Sequence, residues 1–163
     1  MMLAFHSPLS TDKRIYAMKV LMALMAYGMS SRLFQEIRDK RNLAYSIFGD
    51  TNSNKYFSYS YIYAGAMKEN VGKIKKIILD EFKKASKKLE KKELDATKNQ
   101  LIGNYRISME NSESQMNQLL LSEIDGNVRE FYEFEKNIKA VKLKDVKKLA
   151  KIRKCSFFAL IPE

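Results

Sequence analysis

The spacing of apolar residues along the chain predicts a mixed series of strands and helices. A short apolar run, residues 2–5, stops at a His-Ser-Pro turn, as expected of a strand. Residues 12–27 are apolar almost all round, which is typical of a helix packed inside a protein. Ser10 or Thr11 is expected to cap the start of this helix. Gly28 suits a left-handed cap at its end, because glycine enters that conformation freely.

Two strands are predicted after a second, shorter helix. Ser30 or Ser31 is expected to cap that helix, which runs to about Lys40. Residues 44–48 predict the first strand, and residues 57–63 alternate aromatic and polar side chains with the period of two of a second strand. An antiparallel hairpin is the simplest way to join them. The aromatic positions are Phe57, Tyr59, Tyr61 and Tyr63. We expect this aromatic stripe to be the face that packs against helices.

Helical periodicity dominates the rest of the chain. The predicted helices cover about residues 69–89, 91–109, 113–125, 128–139 and 143–152. An apolar stretch, residues 155–161, predicts a closing strand that ends at Pro162. Together these elements predict one α+β domain over residues 1–163, with a mostly antiparallel sheet covered by helices on one side.

Composition places this chain among folded proteins. Apolar residues make up 45% of its 163 residues, too many for a disordered chain. No apolar run reaches the roughly 20 residues that cross a bilayer, and the first ten residues do not resemble a signal peptide. The single cysteine, Cys155, fits a reducing compartment, so we expect a cytoplasmic location without membrane contact. Because Cys155 lies in an apolar strand, its thiol is expected to be buried and inert.

A lysine-rich helix supplies much of the net charge of +11. Over residues 73–92 the lysines surround one apolar stripe, formed by Ile74, Ile77, Ile78, Phe82, Ala85 and Leu89. A solvated helix face is the simplest interpretation. The alternative is an electrostatic surface for an acidic peptide, a partner or nucleic acid. The lack of aromatic residues among those lysines disfavours nucleic acid.

The sequence offers no set of residues for zinc catalysis. Such catalysis needs about three protein ligands and an open position for water. The chain has one histidine, His6, and one cysteine, and it contains neither His-x-x-Glu-His nor the reverse motif. His6 is expected at a turn or strand end, and Asp80, Glu81 and the acids of 90–93 on solvated helix faces. We therefore expect no catalytic residue and no bound metal in this chain.

Arg38 and Tyr45 are the candidate functional pair. They lie seven residues apart across a predicted helix-to-strand junction. Both donate hydrogen bonds at neutral pH, and two such donors converging on one point suit a peptide carbonyl oxygen or the oxyanion formed from it. An arginine on an amphipathic helix is more often solvated or paired, and a tyrosine at a strand start more often packs. The residues themselves leave both interpretations open.

Residues 28–46 read G-M-S-S-R-L-F-Q-E-I-R-D-K-R-N-L-A-Y-S. This stretch resembles the signature of the C-terminal, non-zinc domain of the pitrilysin, insulinase and mitochondrial-processing-peptidase family of inverted-motif zinc peptidases. That signature combines G-M-S-S-R-L-F with R-E-K-x-G-L-A-Y-S, so Asp39 and Asn42 replace the usual glutamate and glycine. Weaker similarity continues around residues 3–5, Glu93 and 134–146, so the resemblance covers nearly the whole chain.

The resemblance implies both a fold and a role. The fold would be the processing-peptidase-like domain, also called LuxS/MPP-like, with a mostly antiparallel sheet packed against helices. In the family, the arginine and tyrosine of this signature bind the substrate backbone, which implies that Arg38 and Tyr45 bind an extended peptide here. Zinc would be held by a separate domain or subunit that carries the zinc motif. The chain would then be inactive alone, and would form a heterodimer with its zinc-bearing partner or a homodimer in its absence.

Two other functions remain open from the sequence. The chain could be a structural subunit that keeps the fold and serves as a scaffold without a peptidase role. It could also be a basic nucleic-acid-binding module that uses the lysines of residues 73–92. The missing zinc-bearing half is compatible with a split gene product, a truncation or an expressed fragment. The substrate and the partner chain are not encoded in any motif of this sequence.

Overall fold

The computed structural model describes residues 1–161 of the chain. The strands are β1 (Met2–His6), β2 (Ser46–Ser53), β3 (Ser58–Gly65) and β4 (Ser156–Phe158). The α-helices are α1 (Ile15–Ala26), α2 (Val71–Lys88), α3 (Lys91–Ser108), α4 (Ser112–Ile124), α5 (Arg129–Ala140) and α6 (Leu143–Leu149). A π-helix (Phe34–Asp39) and a short 3₁₀ turn (Lys68–Asn70) complete these elements. Pro162, where the last strand was predicted to end, lies outside the described residues.

Within these residues the strands form a single antiparallel sheet in the order β2-β3-β1-β4. The predicted hairpin is confirmed as β2 and β3, which pair from Ser46 opposite Gly65 to Ser53 opposite Ser58. β2 is longer than the apolar run suggested, because its polar second half pairs fully with β3. Helices pack against one face of this sheet, as predicted for the α+β fold.

Helix α1 lies at the centre of the core. Every residue of α1 is buried except Lys19, and the helix contacts β2 on one side and α3, α5 and α6 on others. The predicted all-round apolar helix is therefore confirmed. Its predicted cap is wrong, because the helix begins at Ile15 without a side-chain cap, and the Asp12 carboxylate instead accepts from the backbone N–H of Arg14 at 2.8 Å. The left-handed residue after the helix is confirmed, with φ = 80° at Gly28.

The sheet face that packs on α1 is lined by small side chains. In β3 these inward positions are Ser58, Ser60, Ile62 and Ala64. The buried hydroxyls are hydrogen-bonded, Ser58 with Ser7 at 2.9 Å and Ser60 with Thr51 at 2.8 Å, so their burial leaves no unpaired polar group. The period of two over residues 57–63 is confirmed, but the expectation that the aromatic side chains face the helices is wrong.

The aromatic side chains lie on the opposite face, which we call the open face. Phe48 of β2 contacts Tyr63 and Tyr61 across the hairpin, with ring centroids 5.0 and 6.3 Å apart. Tyr59 continues the row at 6.3 Å from Tyr61, and Phe57 stacks on Tyr59 at 6.4 Å. Tyr59 is 38% exposed and Phe48 46% exposed, so these rings shield each other while remaining accessible.

The amphipathic pattern of α2 is confirmed in the structure. Its buried side chains are Ile74, Ile78, Phe82 and Ala85, with Leu89 just beyond, and Ile77 is half-buried. Phe82 packs edge-on against Phe5 of β1 at 5.5 Å. Most of the α2 lysines point into solvent, which matches the simpler interpretation of that charged stretch. One of them, Lys75, lies 4.2 Å from the ring centre of Phe157 in β4.

The closing strand is shorter and more exposed than its apolar sequence suggested. β4 spans Ser156–Phe158, and Cys155 just before it is exposed, so the expectation of a buried thiol is wrong. β4 lies at the edge of the sheet, where it pairs with β1 alone. His6 ends β1 and is exposed, as expected. No helix in residues 1–161 has both the length and the apolar character needed to span a membrane.

The predicted second helix forms largely as the π-helix Phe34–Asp39, and a pair of ion contacts reinforces it. The Glu36 carboxylate accepts from Lys40 at 2.5 Å and also binds Arg41. These hydrogen bonds, that from Lys40 foremost, lower the pKa of Glu36 from its ordinary 4.5 to about 2. A carboxylate with a depressed pKa stabilises the fold while it is ionised.

Gly49 is the position where the sheet can least accept a side chain. A Cβ there would lie 2.6 Å from the carbonyl oxygen of Tyr61 and 3.0 Å from Ala26 of α1. We expect Gly49→Ala to lower the free energy of unfolding by about 1–3 kcal/mol through overpacking. The matched control is Gly103→Ala in α3, where a Cβ meets nothing within 4 Å and the helix gains about 0.5–1 kcal/mol. Urea unfolding measures both, and equal effects would contradict the packing described.

The Glu36 ion pairs predict a defined pH dependence. Because its folded pKa is about 2, Glu36 contributes stability above the ordinary 4.5 and loses that contribution as the pH falls towards 2. The pairs are largely at the surface, so we expect Glu36→Gln to reduce the free energy of unfolding by about 1 kcal/mol at neutral pH. This difference from wild type should shrink as the pH falls through 4.5 towards 2. Glu110→Gln, at an exposed carboxylate, is the control. A difference that does not change with pH would contradict this assignment.

Candidate functional site

The site begins with the tight turn that follows α1. Gly28 has φ = 80°, and the hydroxyl of Ser31 donates to its carbonyl oxygen at 2.7 Å. The Ser31 side chain is therefore turned back to the preceding loop. The prediction that Ser31 caps the next helix is wrong. It is 3% exposed, so this contact fixes the turn from inside the protein. The turn directs the chain into the segment that carries Arg38.

Arg32 links this segment to two helices through ion pairs. Its Nε and Nη2 atoms donate to the two carboxylate oxygens of Glu93 in α3, each at 2.6 Å. Its Nη1 atom lies 3.9 Å from Glu81 of α2. The hydrogen bond that Arg32 donates to Glu93, together with the charges of the nearby acids, raises the pKa of Arg32. Bidentate pairs of this kind fix geometry as well as adding energy.

Glu81 is not on a solvated face, as the sequence had suggested. It is 5% exposed and binds Lys84 at 2.6 Å in addition to its contact with Arg32. A buried carboxylate needs such partners, because an unpaired charge in the interior is strongly unfavourable. Glu81 is thus part of the support for the Arg38 segment.

Arg38 lies on the exposed side of the π-helix. Its guanidinium is 5.0 Å from the ring centre of Phe34, one turn earlier. Within the described residues it makes no ion pair, because the nearby Glu36 is occupied by Lys40 and Arg41. The donors of Arg38 are therefore available to a group from outside this part of the chain.

The link between Arg38 and Tyr45 is held by backbone contacts. Asn42 donates from its backbone N–H to the carbonyl oxygen of Arg38 at 3.0 Å and adopts a left-handed φ of 50°. The family signature has glycine at this position, and asparagine is among the other residues that tolerate this conformation. The next residue, Leu43, donates to Ile37 at 2.9 Å. The departure of Asn42 from the signature thus preserves the turn.

Tyr45 lies at the top of the open face. Its backbone N–H donates to Gly65 at 3.0 Å, and its ring covers the same glycine. A Cβ on Gly65 would lie 2.5–2.7 Å from the Tyr45 ring and hydroxyl, so a side chain at position 65 would displace this ring. Tyr45 is nevertheless 71% exposed. Its ring extends the row of Phe57, Tyr59, Tyr61 and Tyr63, and its hydroxyl lies close to Gly65.

The predicted pair is thus brought to one end of the sheet without direct contact. Arg38 packs on Phe34 and Tyr45 on Gly65, and the contacts found within residues 1–161 include no hydrogen bond between the two side chains. The π-helix that carries Arg38 packs beside β2, which begins just after Tyr45. Both groups offer donors to the surface, an arrangement suited to binding backbone carbonyl oxygens.

A second candidate site was not foreseen from the sequence. A cavity of about 620 Å³ opens on the helix side of β2, between α1, α3, α4 and α5. Lys19 of α1 lines it and lies 5.8 Å from the ring centre of Tyr16 and 5.6 Å from that of Phe134. Burial raises the pKa of the Tyr16 hydroxyl to about 12. The available signal was Lys19 itself, the one charged residue within the apolar α1.

The described residues do not fit a zinc ion. Among residues 1–161 no three side chains of histidine, cysteine, aspartate or glutamate gather in a metal-binding group. His6 stands at the end of β1 and Cys155 near β4, and no further nitrogen or sulfur ligand of the kinds that zinc prefers occurs in the sequence. We therefore derive no chemical step through a metal in this chain.

Comparison with known proteins gives a consistent answer. The family model described as the peptidase M16 inactive domain matches residues 1–101. An uncharacterized zinc protease of Streptomyces coelicolor is 36% identical over 115 residues, which cover 70% of this chain and 25% of that protein. An uncharacterized zinc protease of Bacillus subtilis is 30% identical over 145 residues, which cover 85% of this chain and 34% of that protein. The chain thus spans between a quarter and about a third of the length of these relatives.

Solved structures show the same fold. A protease from Helicobacter pylori superposes with a TM-score of 0.84 at 21% identity, over 91% of this chain and 36% of that one. A peptidase M16 inactive domain from Pseudomonas fluorescens superposes with a TM-score of 0.78 at 22% identity, over 94% of this chain and 37% of that one. The processing-peptidase-like α+β fold and the resemblance found in residues 28–46 are both confirmed. The chain therefore belongs to the peptidase M16 inactive-domain family.

Proposed function

We propose that this chain is the non-catalytic, substrate-binding half of a zinc peptidase. It would hold an extended peptide through Arg38 and Tyr45, while a separate domain or subunit supplies zinc. The observation that carries this proposal is the placement of Tyr45, whose ring packs on Gly65 while the residue stays 71% exposed. The contact with Gly65 holds this exposed ring at one place on the surface, where a bound peptide can reach it.

The charges around Arg38 support the same role. Glu36 forms ion pairs with Lys40 and Arg41, and Glu93 forms one with Arg32. Within residues 1–161, Arg38 is left without an ion pair. Arginine donors and a tyrosine hydroxyl at one end of a sheet suit the carbonyl oxygens of an extended peptide. If water attacked such a carbonyl, the same donors would stabilise the developing oxyanion.

A zinc-bearing partner would account for the surfaces that remain uncovered. The relatives named zinc proteases are about three to four times as long as the matched region, so they have room for a second domain. In the present structure the open face and one side of α4 expose apolar groups. Those of α4 are Met116, Leu120, Leu121 and Ile124. Apolar patches of this kind mark interaction surfaces. A heterodimer would cover them, or a homodimer when the partner is missing.

The other functions inferred from sequence have less support. A scaffold would not require Arg38 to be left free or Tyr45 to be held on the surface. A nucleic-acid role would use the α2 lysines, which form an ordinary solvated helix face. The single-domain organisation and the cytoplasmic location stay predictions from the sequence.

The substrate role predicts a specific loss of activity. The chain would be mixed with a separate protein that carries the zinc motif, and cleavage of an unstructured peptide would be followed with added zinc. We expect Arg38→Ala and Tyr45→Phe each to lower kcat/KM by about 100-fold or more, as for loss of one oxyanion donor. Tyr45→Phe keeps the ring on Gly65 and removes only the hydroxyl.

Matched controls separate this loss from general damage. Arg153→Ala and Tyr56→Phe change exposed residues away from the site and should leave kcat/KM within about twofold. A mixture in which Arg38→Ala and Tyr45→Phe keep full activity would contradict the substrate role and favour the scaffold. Zinc-dependent cleavage by this chain alone would contradict the proposal altogether.

The contact between Tyr45 and Gly65 predicts a non-additive pair of substitutions. Gly65→Ala should displace the ring and lower the free energy of unfolding by about 1 kcal/mol, roughly the packing contribution of an aromatic contact. In a Tyr45→Ala background the same substitution has room, and we expect it to cost nothing or to stabilise the strand slightly. Urea unfolding of the four proteins gives the coupling energy. Strict additivity would show that Tyr45 does not rest on Gly65.

A further inference from the structure

The cavity beside α1 has the size of a ligand site and is open to solvent on one side. Its volume of about 620 Å³ lies within the range of small-molecule pockets, about 300–1,000 Å³. Neither Arg38 nor Tyr45 lines it, so its role is independent of the peptide site proposed above. The buried hydroxyl of Ser10, which has no hydrogen-bond partner in the described structure, lies in its wall.

Lys19 provides a positive charge inside this cavity. Its ammonium group lies against the rings of Tyr16 and Phe134 and forms no ion pair within the described residues. The surrounding protein lowers the pKa of Lys19 through burial, while the charges of Glu130, Asp50 and Asp125 oppose that change. Lys19 is nevertheless exposed to the space of the cavity, so an anionic group entering it can reach the ammonium.

Two carboxylates provide negative charge in the same cavity. Asp125 follows α4 and Glu130 lies in α5. Neither forms an ion pair with lysine or arginine in the described structure, although basic residues greatly outnumber acidic ones in the chain. Asp125 instead accepts a hydrogen bond from the backbone N–H of Lys55, and Glu130 accepts one from the side-chain amide of Asn127. A cationic group could therefore be held there without displacing an existing ion pair.

The remaining wall is aromatic. Tyr105 stacks on Phe134 with ring centroids 4.3 Å apart, and Phe131 meets Tyr105 edge-on at 6.4 Å. The Tyr105 hydroxyl donates to the carbonyl oxygen of Phe131 at 2.8 Å, which fixes this wall. Such a surface suits an apolar side chain of a ligand, because burying it removes apolar area from water.

We propose that this cavity binds a zwitterionic ligand with an apolar side chain, namely a free amino acid or a short peptide with both ends free. Its carboxylate pairs with Lys19, and its ammonium group lies beside Asp125 and Glu130. The two carboxylates repel a purely anionic ligand, and a purely cationic ligand leaves Lys19 without a partner. A zwitterion places an opposite charge beside each charged part of the cavity, and its side chain packs on the aromatic wall.

Calorimetry on the full chain tests this site with L-phenylalanine and the dipeptide alanyl-phenylalanine. We expect wild type to bind at least one of them. The one that binds more tightly identifies the ligand class as a free amino acid or a short peptide. Lys19→Met, which keeps the length of the side chain, should weaken binding of that ligand about tenfold or more, as for loss of a charge-assisted hydrogen bond. The same Lys19→Met substitution should change the affinity for the C-terminal amide of that ligand by less than about twofold.

Two further variants keep the test decisive. Lys13→Met, at an exposed lysine just before α1, should leave all affinities unchanged. Glu130→Gln should weaken binding of the ligand with a free amino group and leave the affinity for its N-acetyl form unchanged. This variant tests the other end of the site if Lys19→Met lowers the melting temperature. Wild type that binds neither ligand at millimolar concentration would overturn the proposal. So would equal weakening of acid and amide forms by Lys19→Met. Either failure would leave the peptide role of Arg38 and Tyr45 untouched.

Discussion

The burial of α1 is the constraint on which the rest of the structure depends. A helix buried on every side but one must be approached closely by the sheet, and the strands meet it with small residues such as Gly49, Ser60 and Ala64. Gly49 leaves no room for even a methyl group. The large side chains of the hairpin are consequently pushed to the other face. The aromatic open face is thus a result of the close packing beneath it.

The segment after α1 shows how buried charges can position exposed ones. Arg32 is held by Glu93 and Glu81, and this network joins the Arg38 segment to α2 and α3. A charge network in the interior is weak evidence for stability, but it fixes one arrangement of the groups it joins. Here the residues that are paired hold the backbone, and the residue that is left unpaired, Arg38, points outward. The fold thus leaves the Arg38 donors available to a ligand.

Much of this arrangement could be predicted from sequence, and the errors have physical causes. The all-round apolar α1, the amphipathic α2 and the hairpin follow from periodicity, which reports which residues share a face. Periodicity does not report which face is buried, and for β3 the bulkier set proved to be the outer one. Glu81 was misplaced because its partner Arg32 is distant in sequence. Lys19 could have been singled out as a lone charge in an apolar helix, but the cavity around it requires elements from four parts of the chain.

The two candidate sites share β2 and face opposite ways. Along a strand, successive side chains point to opposite faces, so Phe48 joins the aromatic open face while Gly49 and Thr51 border the cavity. Tyr45 lies at the beginning of this strand on the open face, and Lys19 lies behind the sheet. A molecule bound in one site would not occupy the other, but each would contact the same strand. Since β2 pairs with β3 on one side only, it is the strand of the hairpin with the fewer backbone restraints. This strand is therefore one route by which a ligand in one site could affect the other.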